Sequence, residues 1–130
     1  MDVVDVVRPP FATGSPTPPV QHAGREHAIA QCNNTYVFPA IGLAVHSVSG
    51  CRVTDGMLRA ASRELGRLSP ARETLGAPLL PPIEEIRSVS IDLAVRIAEK
   101  ALEQSCASGP TGDALRETIT TRFWEPAYDA

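Results

Sequence analysis

Residues 79–101 read LLPPIEEIRSVSIDLAVRIAEKA and carry the strongest helical signal in the chain. Apolar residues recur there at three- and four-residue steps, which places them on one face of a helix. The stripe consists of Ile83, Ile86, Val89, Leu93, Ile97 and Ala101. Glu84 and Glu85 fall in the first turn, where the helix dipole favours negative charge, and Gly109-Pro110 would end the helix. The pattern predicts a long helix over residues 83–106.

Two more amphipathic segments flank this helix. Thr54 is a suitable N-cap, Asp55 would lie at the positive end of the helix dipole, and an apolar face continues to residue 68 before Ser69-Pro70. The sequence therefore predicts a helix over residues 54–68 and a loop over 69–82. A last helix is predicted over residues 113–124, with apolar side chains at four-residue spacing: Leu115, Ile119 and Phe123.

Residues 35–48, TYVFPAIGLAVHSV, are apolar on nearly every side. Pro39 suits the first turn of a helix, where its missing N–H would be unpaired in any case. We predict a short buried helix over residues 39–47, entered by an extended segment at residues 36–38. A fully buried strand is the alternative, because periodicity does not separate the two over so few residues.

The first quarter of the chain is predicted to be mostly irregular. Residues 8–20, RPPFATGSPTPPV, hold five of the twelve prolines, which favour extended or turning backbone. A brief strand is possible at Phe11–Thr13. Residues 21–34 are predicted to be polar and irregular, with Asn33-Asn34 as a hinge, since asparagine caps helices and tolerates left-handed backbone.

Length and composition indicate one globular domain or a piece of one. The chain has 130 residues, 43% of them apolar and 21% charged, and a net charge of −3. This balance does not favour a nucleic-acid or membrane partner, which a clustered basic face or a run of about 20 apolar residues would indicate. The first residues, MDVVDVVRPP, carry acids where a signal peptide needs positive charge and lack a long apolar run, so we expect a cytoplasmic protein.

Residues suited to catalysis are sparse. Three cysteines at wide spacing indicate neither a disulfide framework nor a zinc site, and small apolar fillers are the favoured interpretation. A nucleophile built from Cys32 with His22, His27 or His46 remains open. The carboxylates are predicted to be exposed and unpaired, Lys100 to be solvated, and no glycine-rich phosphate loop is present. The chain therefore offers no predicted catalytic residue or metal ligand.

Five segments, in order, resemble the malic enzymes, which oxidise and decarboxylate malate to pyruvate with NAD or NADP. Residues 31–45 resemble a characteristic stretch of that family, and the other four are similar to its neighbouring segments. They read QCNNTYVFPAIGLAV (31–45), FATGSPTPPV (11–20), RVTDGMLRAASREL (52–65), LLPPIEEIRSVSIDLAVRIAEKA (79–101) and FWEPAY (123–128). The resemblance covers about residues 11–129.

The resemblance implies an α/β fold: the C-terminal end of a Rossmann-type NAD-binding domain plus trailing helices, mostly helical in this segment. Residues 11–130 would form this part, and residues 1–10 remain unplaced. The family's acid, base, cofactor loop and ligands for Mn²⁺ or Mg²⁺ would lie upstream. The resemblance also implies malate and pyruvate as ligands of the full enzyme, and a homo-oligomer or an upstream enzyme segment as partner.

The resemblance assigns one pair of site residues. It implies that Asn33 and Asn34 hold malate beside the nicotinamide ring, whereas the residues by themselves favour a turn or cap. Thr13, Gly14 and Ser15 would end a strand near the cofactor cleft, where a satisfied turn is favoured over direct contact. The implied function is a C-terminal fragment of a malic enzyme, inactive alone. The alternative is a non-catalytic truncated remnant that acts as a helical association module.

Overall fold

The computed structural model describes residues 11–74 and 77–124, so the predicted boundary of the segment 1–10 lies outside the described residues. Four short strands precede four α-helices. The strands are β1 (Phe11–Thr13), β2 (Val20–His22), β3 (Arg25–His27) and β4 (Ile29–Gln31), and the helices are α1 (Phe38–Ser47), α2 (Asp55–Arg67), α3 (Ile86–Glu103) and α4 (Gly112–Arg122). Single 3₁₀ turns occupy Asn34–Tyr36, Pro70–Arg72 and Ile83–Glu85.

Helix α3 forms the centre of the structure, because α1, α2 and α4 all pack against it. The predicted stripe is buried from Val89 onward, but Ile83 at its start is 43% exposed. Burial also extends well beyond the stripe, to Ser90, Ile91, Ala94, Val95 and Ala98. The helix is therefore surrounded by its neighbours on most sides, which a single apolar stripe does not indicate.

The predicted helix over residues 83–106 is correct in its body and wrong at both ends. Its first turn is 3₁₀, with the Glu85 amide bonded to the carbonyl of Pro82 at 3.0 Å. The α-helix ends at Glu103, because Ser105 adopts a left-handed φ of 54° that a continuing helix does not allow. The last helix likewise ends at Arg122 instead of residue 124.

The helical assignments of α1 and α2 are confirmed. The Thr54 hydroxyl accepts a hydrogen bond from the Met57 amide at 3.2 Å, the predicted N-cap, and Pro39 lies in the first turn of α1. The buried-strand alternative for α1 is wrong. The extended entry at residues 36–38 is also wrong, since Asn34–Tyr36 is a 3₁₀ turn that leads directly into the helix.

The predicted irregular segment 21–34 is wrong as well. Strand β4 pairs in parallel with β1, and β2 forms an antiparallel hairpin with β3. The hairpin turns through Ala23 and Gly24, whose φ values are 51° and 73°. A turn of this type is usually signalled by Asn-Gly or Asp-Gly, so alanine at the first position hides it in the sequence.

Two predictions about side-chain exposure need correction. Cys106 is a buried filler as expected, but Cys32 and Cys51 are exposed. Glu64 is 7% exposed, although all carboxylates were predicted to lie on solvated faces. Its burial is possible because two arginines pair with it. Among the residues described here, no helix has the length and apolar character needed to cross a membrane.

Candidate functional site: a strand edge and an asparagine turn

The parallel pairing of β1 and β4 brings two separate segments to one edge. Thr13 lies opposite Gln31, and the Cys32 amide donates a 2.7 Å hydrogen bond to the Thr13 carbonyl oxygen. The carboxyl ends of both strands therefore meet at the same edge, which is where open α/β sheets bind their ligands. Gly14 follows one strand and Asn33 follows the other, so the candidate site residues of the two segments lie at the same edge.

Asn33 performs the capping role that its residue type favours. Its Oδ1 accepts a hydrogen bond from the Thr35 amide at 2.9 Å, and its extended backbone starts the 3₁₀ turn. The half-buried side chain thus has its oxygen committed to the backbone. The amide nitrogen makes no hydrogen bond within the described residues, so Asn33 keeps both N–H donors of that group available.

Asn34 has a different environment. Its side chain is exposed and hydrogen-bonds to no described residue, while its backbone carbonyl accepts from the Val37 amide at 3.1 Å. The turn is therefore held by the main chain of Asn34, and its side-chain amide keeps both donor and acceptor capacity. Of the two predicted residues, Asn34 has the side chain with more unused hydrogen-bonding capacity.

The other strand end forms a closed turn. The Thr13 hydroxyl donates to the Ser15 carbonyl oxygen at 2.8 Å and lies 3.0 Å from the Thr17 hydroxyl, which also donates to Ser15 at 3.2 Å. A Cβ atom added to Gly14 would meet nothing within 4 Å. The Thr13 hydroxyl is thus bonded within its own turn. The space beside Gly14 is open.

Tyr36 positions the asparagine turn and is not identifiable from the sequence. Its buried hydroxyl donates a 2.6 Å hydrogen bond to the carbonyl oxygen of Pro81, 45 residues away. Burial raises the pKa of Tyr36, and the nearby Glu84 carboxylate raises it further, with a smaller contribution from Cys32. The phenol is therefore a neutral donor at physiological pH, and it joins the turn to the segment entering α3.

The open alternative of a cysteine–histidine nucleophile finds no geometric support in the described residues. Cys32 is exposed at the strand edge and forms no hydrogen bond with a described histidine. His22 and His27 face each other across the hairpin, with ring centroids 6.3 Å apart. His46 lies at the end of α1, where its carbonyl oxygen accepts from Arg122 at 2.6 Å. The four side chains do not form a catalytic pair.

Metal-ligating side chains are also dispersed. Within residues 11–74 and 77–124, no group of three or more histidine, cysteine, aspartate or glutamate side chains could hold a metal ion. Lys100, predicted to be solvated, is partly exposed and forms an ion pair with Glu103 on the same helix. At the strand edge, the side-chain groups that keep hydrogen-bonding capacity include the amides of Asn33 and Asn34.

Comparison with known proteins gives a consistent result. A family model described as "Malic enzyme, NAD binding domain" matches residues 7–102. The chain is 50% identical over 117 residues to an NAD-dependent malic enzyme of Vibrio campbellii, covering 90% of this chain and 21% of that protein. Over the same length and coverage it is 49% identical to one from Aliivibrio fischeri and 47% to one from Photorhabdus laumondii. The chain thus spans about a fifth of the length of these relatives.

Proposed function

The chain belongs to the malic enzyme NAD-binding domain family, and we propose on this basis that it forms the C-terminal part of that domain in an NAD-dependent malic enzyme. The order of its elements supports the proposal: a parallel strand pair is followed by helices that pack around α3. The strand edge that carries the asparagine turn corresponds to the ligand-binding side of such a sheet.

The role proposed for this chain is to orient the substrate. The observation that carries it is the position of Asn34, which lies just beyond the carboxyl end of the parallel strand pair. Its side-chain amide forms no hydrogen bond with a described residue. An amide can donate to a malate carboxylate and accept from the C2 hydroxyl without adding charge. Asn33 would contribute its free amide nitrogen while its oxygen maintains the turn.

The reacting groups of the proposed enzyme lie outside the described residues. Bound NAD would supply the hydride acceptor for malate, and a divalent metal ion would supply charge stabilisation for the decarboxylation. The described residues contain no cluster suited to that metal, so no catalytic step through it is assigned to this chain. Asn33 and Asn34 would hold the substrate, and Tyr36 would hold the turn that carries them.

An activity assay tests the first part of the proposal. The 130-residue chain alone, given malate, NAD and Mn²⁺ or Mg²⁺, is expected to form no NADH above the background without protein. Residues 11–130 joined to the upstream part of the Vibrio campbellii relative are expected to form NADH. Turnover by the isolated chain, or an inactive chimera that folds normally, would contradict the proposal.

The same chimera tests the asparagine turn. Replacing Asn34 by alanine removes hydrogen bonds to a charged ligand, so kcat/KM should fall about 10- to 150-fold. Gln21→Ala is the matched control, because Gln21 carries an amide in the hairpin and pairs with Glu26 at 2.9 Å. An unchanged kcat/KM in both Asn33→Ala and Asn34→Ala would reduce the pair to a structural hinge.

A second candidate function, a helical association module, rests on exposed apolar side chains. Phe38 is 62% exposed and Trp124 is 74% exposed, and four further large apolar residues are also accessible: Val20, Val53, Leu58 and Ile83. We expect the isolated chain to self-associate or to bind the upstream part of the enzyme. Two measurements on the chain, with and without a separately expressed upstream fragment, separate these functions. NADH formation by the mixture, followed by absorbance, supports the enzyme, and self-association of the chain by light scattering without NADH formation supports the module.

A further inference from the structure

A groove between α2 and α3 concentrates the positive charge of this acidic chain. It has a volume of about 620 Å³, and Arg72 from the turn at Pro70–Arg72 is among its lining residues. Half of the twelve lysine and arginine side chains line it, against three of the fifteen acidic ones. The cations are Arg59, Arg63, Arg67, Arg72, Arg96 and Lys100, and the acids are Glu64, Glu99 and Glu103.

One part of this charge is held in place by the protein itself. The buried carboxylate of Glu64 binds Arg67 at 2.7 Å and lies 3.5 Å from Arg96, which in turn pairs with Glu99 at 2.9 Å. These contacts bring two half-exposed guanidinium groups, one from α2 and one from α3, to the same carboxylate beside the groove. The positive charge of this part of the groove is therefore partly neutralised.

The other part has no counter-charge. Arg59, Arg63 and Arg72 line the groove, are exposed, and form no ion pair or hydrogen bond with a described residue. Arg59 and Arg63 also precede Arg67 at four-residue intervals on one face of α2. Like charges at this spacing oppose helix formation, so packing and helix stability do not account for them. A ligand that brings negative charge into the groove would account for these arginines.

We propose that this groove binds a small anion carrying two or more phosphate groups. Guanidinium groups match phosphate oxygens in paired hydrogen bonds, and those of Arg59 and Arg63 have no carboxylate partner among the described residues. Successive arginines on α2 are rooted about 6 Å apart along the helix axis, so two can grip neighbouring phosphates at once. The groove volume lies within the range of small-ligand sites. None of these residues belongs to the strand edge that carries Asn33 and Asn34.

Calorimetric titration of the 130-residue chain with inorganic triphosphate tests the proposal. We expect saturable binding that weakens as salt is added, because screening reduces attraction between exposed charges. Arg63→Gln and Arg59→Gln should each lower the affinity about tenfold or more. Arg25→Gln is the matched control, since Arg25 is exposed in the hairpin and does not line the groove, so its replacement should leave the affinity unchanged.

Thermal unfolding of each variant distinguishes a loss of binding from a loss of folding, because removing a like charge from α2 should not lower the melting temperature. Titrations with ADP and with NAD identify the source of the phosphates: tighter binding than triphosphate indicates a nucleotide, and equal or weaker binding indicates a free polyphosphate. No heat of binding for any of the three, an equal response to chloride at matched ionic strength, or equal loss in Arg25→Gln would overturn the proposal.

Discussion

The hydroxyl of Tyr36 donates a hydrogen bond of 2.6 Å to the carbonyl oxygen of Pro81. This contact connects the asparagine turn after β4 with the segment that enters α3, and both groups are buried. A buried carbonyl oxygen that loses its donor is costly, because water does not replace the hydrogen bond. The proposed ligand-binding turn is thus attached to the central helix of the structure through one side chain.

Replacing Tyr36 by phenylalanine removes this hydrogen bond while keeping the ring. The free energy of unfolding should fall by about 1–2 kcal/mol, since the Pro81 carbonyl is left unpaired. Urea denaturation followed by circular dichroism measures the change. Thr120→Val is the control, because the exposed Thr120 hydroxyl bonds to the Arg116 carbonyl within α4 and its loss should cost less than about 0.5 kcal/mol. Equal losses in both variants would contradict a positioning role for Tyr36.

The raised pKa of Tyr36 predicts alkaline destabilisation. A group whose pKa is higher in the folded state stabilises the fold below its unfolded-state value of about 10, and this contribution is lost as the pH rises through the folded-state pKa. Burial is the main cause of the shift, followed by Glu84. The melting temperature should therefore decline above pH 10, and Tyr36→Phe should show a smaller decline. Parallel curves for the two proteins would show that Tyr36 does not cause the effect.

The lowered pKa of Glu64 predicts that the stability of the fold decreases at acidic pH. Its hydrogen bonds from Arg67, with the charges of Arg67 and Arg96, lower the pKa of the carboxyl despite burial. Its stabilising contribution is present above the unfolded-state pKa and is lost as the pH falls through the folded-state value. Both arginines are about half exposed, so Glu64→Gln should cost about 1–2 kcal/mol at pH 7. Melting curves between pH 7 and pH 3 should show a shallower decline for the variant. Glu99→Gln is the control, because the Glu99 carboxylate also pairs with Arg96 but is far more exposed than that of Glu64.

The two asparagines should differ in their effect on stability. Asn33→Ala removes the hydrogen bond to the Thr35 amide and should cost about 1 kcal/mol, the usual value of such a cap. Asn34→Ala removes no hydrogen bond among the described residues and should change the stability by less than about 0.5 kcal/mol. Thermal unfolding of the isolated chain measures both. A large loss in Asn34→Ala would show that its side chain serves the fold and not a ligand.

Two glycines in different settings should respond oppositely to alanine. A Cβ atom at Gly42, inside α1, would meet nothing within 4 Å, so Gly42→Ala should stabilise the chain by about 1 kcal/mol through helix propensity. A Cβ atom at Gly109 would lie 3.2 Å from the Cα of Val48, so Gly109→Ala must push two backbone segments apart and should destabilise the chain. Melting temperatures that change in the same direction would contradict this difference.

Local sequence signals determined the helices of this protein. The cap at Thr54, the proline at position 39 and the apolar spacing of α3 all act within one or two turns, so the residues that form each signal are neighbours in the chain. The structure confirms the bodies of α1, α2 and α3. The resemblance carried by residues 31–45 likewise indicated the malic enzyme family, which the matching family model then showed.

Only the tertiary structure decided how these elements meet. The pairing of β1 with β4 spans 18 residues of chain and depends on main-chain hydrogen bonds that no side-chain pattern encodes in three-residue strands. The bond from Tyr36 to Pro81 and the burial of Glu64 between two helices arise in the same way, from contacts between distant segments. A sequence pattern reports which face of a helix is apolar, whereas the partner of a buried polar group depends on which other segment packs there.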